Sequence, residues 1–408
     1  MAGRKNSSAP DVITDKVSSL ALAAVLLAVS PAARAGEEND TLAPWRSGVR
    51  VRPVSTVPGR HTIHSYFNTT PESPDGRWVL FFASTAADGQ SGEVRILERA
   101  TGREKVLARN VTAEDAHRVA CQQWISRGRR VVFHDERNGE WMVVAVDVDS
   151  AQERILARDR QLGFGQPGSD LAPIYGMHWN PGAHRDFELV NVETGEIRTA
   201  VTADAVKAAH PEWIARQFGD KPISIFFPVL SPDLKRGFFK LATPAGGDAR
   251  STQASERKGL FCYDLEKSRF LCLHGKWGHP AWLPDSRTII EVPNRLIDSD
   301  TGAERRIPDL PAFHGDHPSV SPDGRLFTTD TTLEKFGGTA KEWGVVVGDL
   351  RGKDYVILHR FDNSHGANSW RRSHPHPAFS PDGKRLYFNV SSEKWTQLHV
   401  AEAAGKSN

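Results

Sequence analysis

Four groups of residues in this chain have side chains that can do chemistry. In "EDAHRVACQQWISRGRRVVFHDE", His117 precedes one strand-like run and His134 ends the next. Antiparallel strands joined by a turn can bring two such residues together. A pair of imidazoles suits taking and returning a proton near neutral pH. In "PIYGMHWNPGAHRDF", Tyr175, His178, His184 and Arg185 join a phenol to a guanidinium. The phenol can exchange a proton if its pKa is lowered, and the guanidinium can clamp a carboxylate through two parallel hydrogen bonds. In "FCYDLEKSRFLCLH", alternation puts Cys262 with Asp264 on one strand face and Cys272 with His274 on one face of its neighbour. Two thiolates and an imidazole are good zinc ligands, with Asp264, His210 or His279 to close the shell. The same two cysteines can instead close a disulfide across the hairpin. The fourth group is His279, His317, His374 and His376, with Asp330 nearby. Imidazoles and a carboxylate suit zinc or manganese. Cys121, the odd third cysteine, is expected to be a buried free thiol.

These residues need a scaffold, and the chain repeats one. "PESPDGRWVLFF", "VLSPDLKRGFF", "AWLPDSRTII", "SVSPDGRLFTTD" and "AFSPDGKRLYF" each read as strand, tight turn, strand. Proline and glycine suit the turn, and aspartate can bond its own backbone there. "CQQWISRGRRVVFHD" and "YGMHWNPGAHRDFELVNVETGE" are looser copies, and most copies are followed by a second hairpin such as "MVVAVDVDSAQERIL". About seven units of four short strands, at roughly 40–50 residues each, predict an all-β fold, a seven-bladed β-propeller of four-stranded antiparallel blades. "ADAVKAAHPEWIARQFG" predicts one short helical insertion over 203–219, and the polar stretch 243–259 a mobile loop. His279, His317 and the pair His374/His376 all precede the first strand of a blade, the strand nearest the central channel.

Residues 1–35 read as a secretory signal, with Arg4, Lys5 and Lys16, the apolar run "SSLALAAVLLAVS" and an Ala33-x-Ala35 cleavage site. Residues 36–60 are expected to pack on the propeller or close its ring, and 61–408 to form it. The formal charge is +2, and 1–35 carry four basic against two acidic groups, so the rest is near neutral. That argues against broad capture of nucleic acid or anionic membrane. A soluble, secreted or periplasmic monomer is expected.

The segments "HSYFNTTPESPDGRWVLFF", "AHRVACQQW", "IYGMHWNPGAHRDF" and "NSWRRSHPHPAFSPDGKRLYFNVS" resemble the seven-bladed ulvan lyases from about His64 to Glu402. More distantly the chain is similar to oligogalacturonate lyases and to exported TolB-like binding propellers. The first two families cleave uronate polymers by β-elimination, so the resemblance implies an anionic polysaccharide as substrate. On the ulvan side it implies His117, His134 and Tyr175 as the proton-handling set and Arg185, or failing it Arg198, against the uronate carboxylate. His64 and His178, in the same segments, are expected at the substrate. It also implies a structural zinc, for which Cys262, Cys272 and His274 are the candidates. The oligogalacturonate side implies manganese on the channel histidines, with His374 and His376 as ligands. The TolB-like side implies no catalysis.

Overall fold

A computed structural model describes residues 40–245, 256–291 and 294–404. The signal segment 1–35, and most of the stretch 243–259, lie outside the described residues.

The SPDG phrase explains the local structure. Ser73, Ser231, Ser321 and Ser380 each donate through Oγ to the aspartate two residues on, at 2.5–2.7 Å. That aspartate in turn accepts the backbone N–H of Arg77, Lys235, Arg325 or Lys384. The turn is therefore closed by its own side chains before any tertiary contact forms. Gly76, Gly324 and Gly383 take φ near +70°, and Leu234 and Ser286 adopt the same region in the two copies without glycine. Apolar strands run on from each turn.

The strands assemble into seven four-stranded antiparallel sheets. Six blades are continuous in sequence: 61–112, 123–158, 160–201, 224–274, 281–306 and 319–362. The seventh joins Ala378–Phe379, Arg385–Val390 and Gln397–Glu402 to Arg50–Pro53, with Arg50 opposite Glu402. An early strand thus completes the last blade, and the propeller leaves only short outer edges. Neighbouring first strands lie against one another around the centre, as 281–282 and 319–320, then 319–320 and 378–379, do.

The helical insertion is two helices, Ala203–Ala209 and Pro211–Phe218, and not one. Pro211 has no N–H to continue the first helix and excludes helical geometry at His210, which sits at φ −133°, ψ 50°. Thr202 Oγ1 caps the first helix by accepting the Ala205 N–H. Ile214 and Phe218 bury against the fourth blade beside Phe239 and Phe261.

The channel is not open. Tyr66 stacks on Phe164 with centroids 5.3 Å apart and leans on Phe67 at 4.4 Å. The segment carrying them is pinned by Ser65 Oγ donating to the Gln122 carbonyl and Asn68 Nδ2 donating to the Pro280 carbonyl. Tyr66 lines a cavity of about 330 Å³, and Phe67 lines a second, of about 410 Å³, rimmed by the prolines of the SPDG turns. Each cavity is therefore blind where this aromatic pair meets it.

Candidate active site

The first cavity is built on four imidazoles. Asp115 Oδ1 accepts the backbone N–H of both His117 and Arg118 at 2.9 Å, which fixes that turn. His317 enters the sixth blade, and His374 and His376 enter the seventh. Their ring centroids approach to 4.4 Å for His317–His376, 4.5 Å for His117–His376 and 4.8 Å for His117–His374. One ligand nitrogen from each of the four lies within 4.8 Å of all the others. Among the described residues this is the one such group of metal-ligating side chains.

Burial holds all four rings neutral. His317 and His374 fall to about 3 and His117 and His376 well below the usual imidazole range, all but His317 also repelled by charged neighbours. Both ring nitrogens of His376 and Nδ1 of His374 are buried with no hydrogen-bond partner among the described residues. Buried polar atoms are almost always satisfied, so three orphans at one point call for a ligand. Neutral imidazoles are the form that binds metal. Asp330 Oδ2 lies 2.7 Å from His317 Nδ1, and its Oδ1 accepts the His317 N–H at 3.2 Å. With Nδ1–H donated to Asp330, Nε2 is left to ligate, the usual carboxylate–histidine–metal arrangement. The residues present fit a divalent cation.

Around this cluster the cavity wall is basic. Arg118, Lys240, Arg257, Arg371 and Arg372 line it together with His279, and Asp316 is the one carboxylate on that wall. Arg371 packs over Trp370, and its Nε is 4.0 Å from Asp115. Arg118 is held from behind by the buried carboxylate of Glu114 and donates to Tyr175 Oη at 3.2 Å. Glu114 also contacts His178 Nε2 at 3.2 Å and accepts from Gln161 Nε2 at 3.2 Å. Arg118 in particular holds its carboxyl well below the usual range, against burial.

Backbone strain gathers here. Val119, Cys121, Phe227, His279, Asp316 and His376 all have positive φ, between 44° and 82°. None is glycine, and all but Val119 and Cys121 are cavity or cluster residues. Such conformations cost roughly 1–3 kcal/mol each and collect at functional sites. At Phe227 the strain accompanies a bulge between Phe226 and Val229 that turns both Phe226 and Phe227 onto the cavity wall.

Of the residues expected at the site, His117 lines the cavity. Tyr175, His134 and His178 lie beneath Arg118 and do not line it. Burial pushes the Tyr175 phenol above its ordinary value, and its oxygen accepts from Arg118. It supports the arginine where the sequence suggested proton exchange. His134 Nδ1 accepts the Leu162 N–H at 3.3 Å, and burial takes the ring to about 3. His64 is likewise internal, its N–H bonded to Asn389. Arg185 sits in a loop whose carbonyl accepts from Ile225, and Arg198 is exposed on an outer strand. Neither reaches the cavity; Arg118, Arg257 and Arg371 stand where a carboxylate clamp was sought. The sequence carried one signal for a missed residue: Lys240 interrupts the apolar run "GFFKLA" in the middle of a blade.

In the cysteine hairpin, Cys262 faces Cys272 directly and both are free. His274 is opposite Leu260, its Nδ1 2.8 Å from Glu304, while Asp264 is opposite Arg269 at the far end. His210 packs on Phe261 and Phe270, and His279 lines the cavity, so these offer the hairpin no fourth ligand. The Cys262 and His274 side chains hold the Cys272 thiol down to about 6.

No protein-family model and no curated protein matches this chain. Solved structures do. An oligogalacturonate lyase in complex with manganese aligns at 15% identity and a TM-score of 0.61, covering 89% of this chain and 95% of that one. An oligogalacturonate lyase from Vibrio parahaemolyticus aligns at 14% identity and a TM-score of 0.58, over 88% of this chain and 94% of that one. TolB from Acinetobacter baumannii aligns at 11% identity and a TM-score of 0.40, over 73% and 62%, too distant to carry weight. At these identities the likeness establishes the fold, and function must be argued from the site.

Proposed function

We propose that this protein is a metal-dependent lyase that cleaves uronate-containing oligosaccharides or polysaccharides by β-elimination. One observation carries the reading: a cluster of four neutral histidines opens into a blind cavity whose wall bears five basic side chains and one carboxylate. Such a wall selects an anion, and a carboxylated sugar end fits a pocket of about 330 Å³. His117, His317, His374 and His376 would hold the cation, manganese being the first choice because a structural neighbour carries it. When bound, it would act as a Lewis acid on a carboxylate oxygen. The arginines then neutralise the carboxylate and the dianionic character that develops once the C5 proton is lost. His279 is the cavity imidazole outside the cluster. Burial first, then His317 and Lys240, lower its pKa, so the ring is unprotonated and open to accept that proton, and an incoming carboxylate would raise its basicity.

The leader read in residues 1–35 supports an exported enzyme, and closed propellers are commonly monomers. A blind cavity favours chain ends or short oligomers, and we place oligogalacturonates ahead of ulvan on that ground. A zinc ion on Cys262, Cys272 and His274 would be a second, separate equivalent in metal analysis. The test is a substrate panel: purified protein with added manganese on galacturonate oligomers, polygalacturonate, ulvan, alginate and a glycosaminoglycan, followed by ultraviolet absorbance of the new C4=C5 bond. A rise on one class names the substrate. No rise on any, with folded and metal-loaded protein, would leave a binding propeller.

A further inference from the structure

Asp316 is a carboxylate on a wall of five basic side chains, and it pairs with none of them. Among the described residues its side chain makes no hydrogen bond or ion pair. It is exposed, whereas His117, His317 and His376 are buried, so it stands toward the opening of the same cavity.

The backbone holds it there firmly. On one side the His314 N–H donates to Thr331 Oγ1 at 3.0 Å, and on the other the His317 N–H donates to Asp330 Oδ1 at 3.2 Å. Between them a Cβ at Gly315 would meet the Asp330 carbonyl oxygen at 2.0 Å, so only glycine lets the segment lie this close to its strand. Asp316 itself takes φ +82°. Aspartate tolerates this region better than most residues, but the conformation still has a cost, and the pinned segment maintains it.

A carboxylate accepts hydrogen bonds and repels anions. In a cavity that selects an anion, it suits the uncharged part of the ligand. In a uronate the ring hydroxyls O2 and O3 lie across the pyranose from C5 and its carboxyl group. With that carboxyl group on the arginines, O2 and O3 are donors left to meet an acceptor that stands clear of the arginines.

We propose that Asp316 accepts hydrogen bonds from O2 and O3 of the uronate and so restricts the enzyme to uronates whose two hydroxyls are free. This rests on the lyase reading and narrows its substrate class. A sulfate or acyl ester on either oxygen removes the donated proton, and a sulfate also places a second negative charge beside the carboxylate.

Binding tests this without turnover. D-galacturonate and its 2,3-dideoxy analogue are titrated calorimetrically into manganese-loaded wild type and into Asp316→Gly, a change that suits the positive φ. Wild type should bind the analogue about 10- to 100-fold more weakly, the loss expected for hydrogen bonds to a charged group. Asp316→Gly should bind both ligands alike, at the weaker level. A variant that discriminates as wild type does, or a wild type that does not discriminate, would overturn the proposal. Manganese content is measured in both. If Asp316→Gly loses the metal, Asp316→Asn, which keeps the side-chain shape, carries the same test; loss by both would make Asp316 a support of His317 and overturn the proposal.

Turnover then separates this contact from the reading beneath it. On a galacturonate trimer Asp316→Gly should raise KM about 10- to 100-fold with kcat changed only a few-fold. The wild-type preference for this trimer over its 2-O-sulfated form should narrow by at least about tenfold in the variant; an unchanged preference would overturn the proposal. A wild type that binds as expected but cleaves no uronate would overturn the lyase reading and leave the hydroxyl contact standing. A wild type that binds neither ligand would overturn both.

Discussion

Asp330 Oδ2 and His317 Nδ1 stand 2.7 Å apart, both buried, where His317 lines the cavity. Burial raises the carboxyl to about 7 and lowers the imidazole to about 3. In the metal-free protein the pair thus has little charge to spare. With a cation on Nε2 the same carboxylate fixes the tautomer and makes the ring a better donor. Asp330→Asn keeps the shape and loses the charge. It should weaken metal affinity roughly 10- to 100-fold, measured by competition with a fluorescent chelator.

Among the described residues, His376 has no hydrogen-bond partner at either nitrogen. Its ring packs on Tyr66, His117 and His317, and its nitrogens are left for a ligand. His376→Ala should abolish stoichiometric metal binding by elemental analysis. Manganese should raise the melting temperature of wild type, since a ligand of the native state stabilises it, and leave the variant unchanged.

The Glu114–Arg118 pair is buried on both sides, at 1% and 3% side-chain exposure. Removing one partner strands the other charge. Glu114→Ala should destabilise by about 3–5 kcal/mol in urea denaturation. Arg185→Ala, outside the cavity, should stay within about 0.5 kcal/mol and leave activity unchanged.

Acid should unfold the metal-free protein through its histidines. His64, His134, His178, His317 and His374 all fall to about 3, chiefly by burial, from 6.5. The unfolded chain then binds protons that the native state refuses. The stability they contribute is full above 6.5 and is lost as pH drops toward about 3. Asp330 runs the other way: raised from 3.8 to about 7, it contributes fully below 3.8 and loses that as pH rises through about 7. Five groups oppose one, so the urea midpoint should fall steadily from about pH 7 to about pH 4. A flat midpoint would mean that these rings are hydrated.

The blades were legible because the SPDG turn closes on its own side chains and announces itself locally. The histidines before blade-entry strands were legible for the same reason. What joins them was not: His117 comes from the first inter-blade segment and His376 from the last, and only ring closure brings them to 4.5 Å. Tyr175 and Arg185 are neighbours in sequence, while the cavity takes its arginines from three distant segments, at 118, 257 and 371. Arg257 was hidden in what read as a polar loop, yet it begins the strand Arg257–Asp264. Lys240 was visible as a charge within an apolar strand, and only the fold shows that this strand carries it to the cavity wall.

If the histidine cluster is the reaction centre, turnover must follow its metal. The most direct measurement is the initial rate of double-bond formation from a galacturonate trimer by one preparation, stripped with chelator and then reloaded with manganese. Absorbance growth should be lost on stripping, return on reloading, and never return in His376→Ala. An undiminished rate in the stripped wild type, or full activity in the variant, would contradict it.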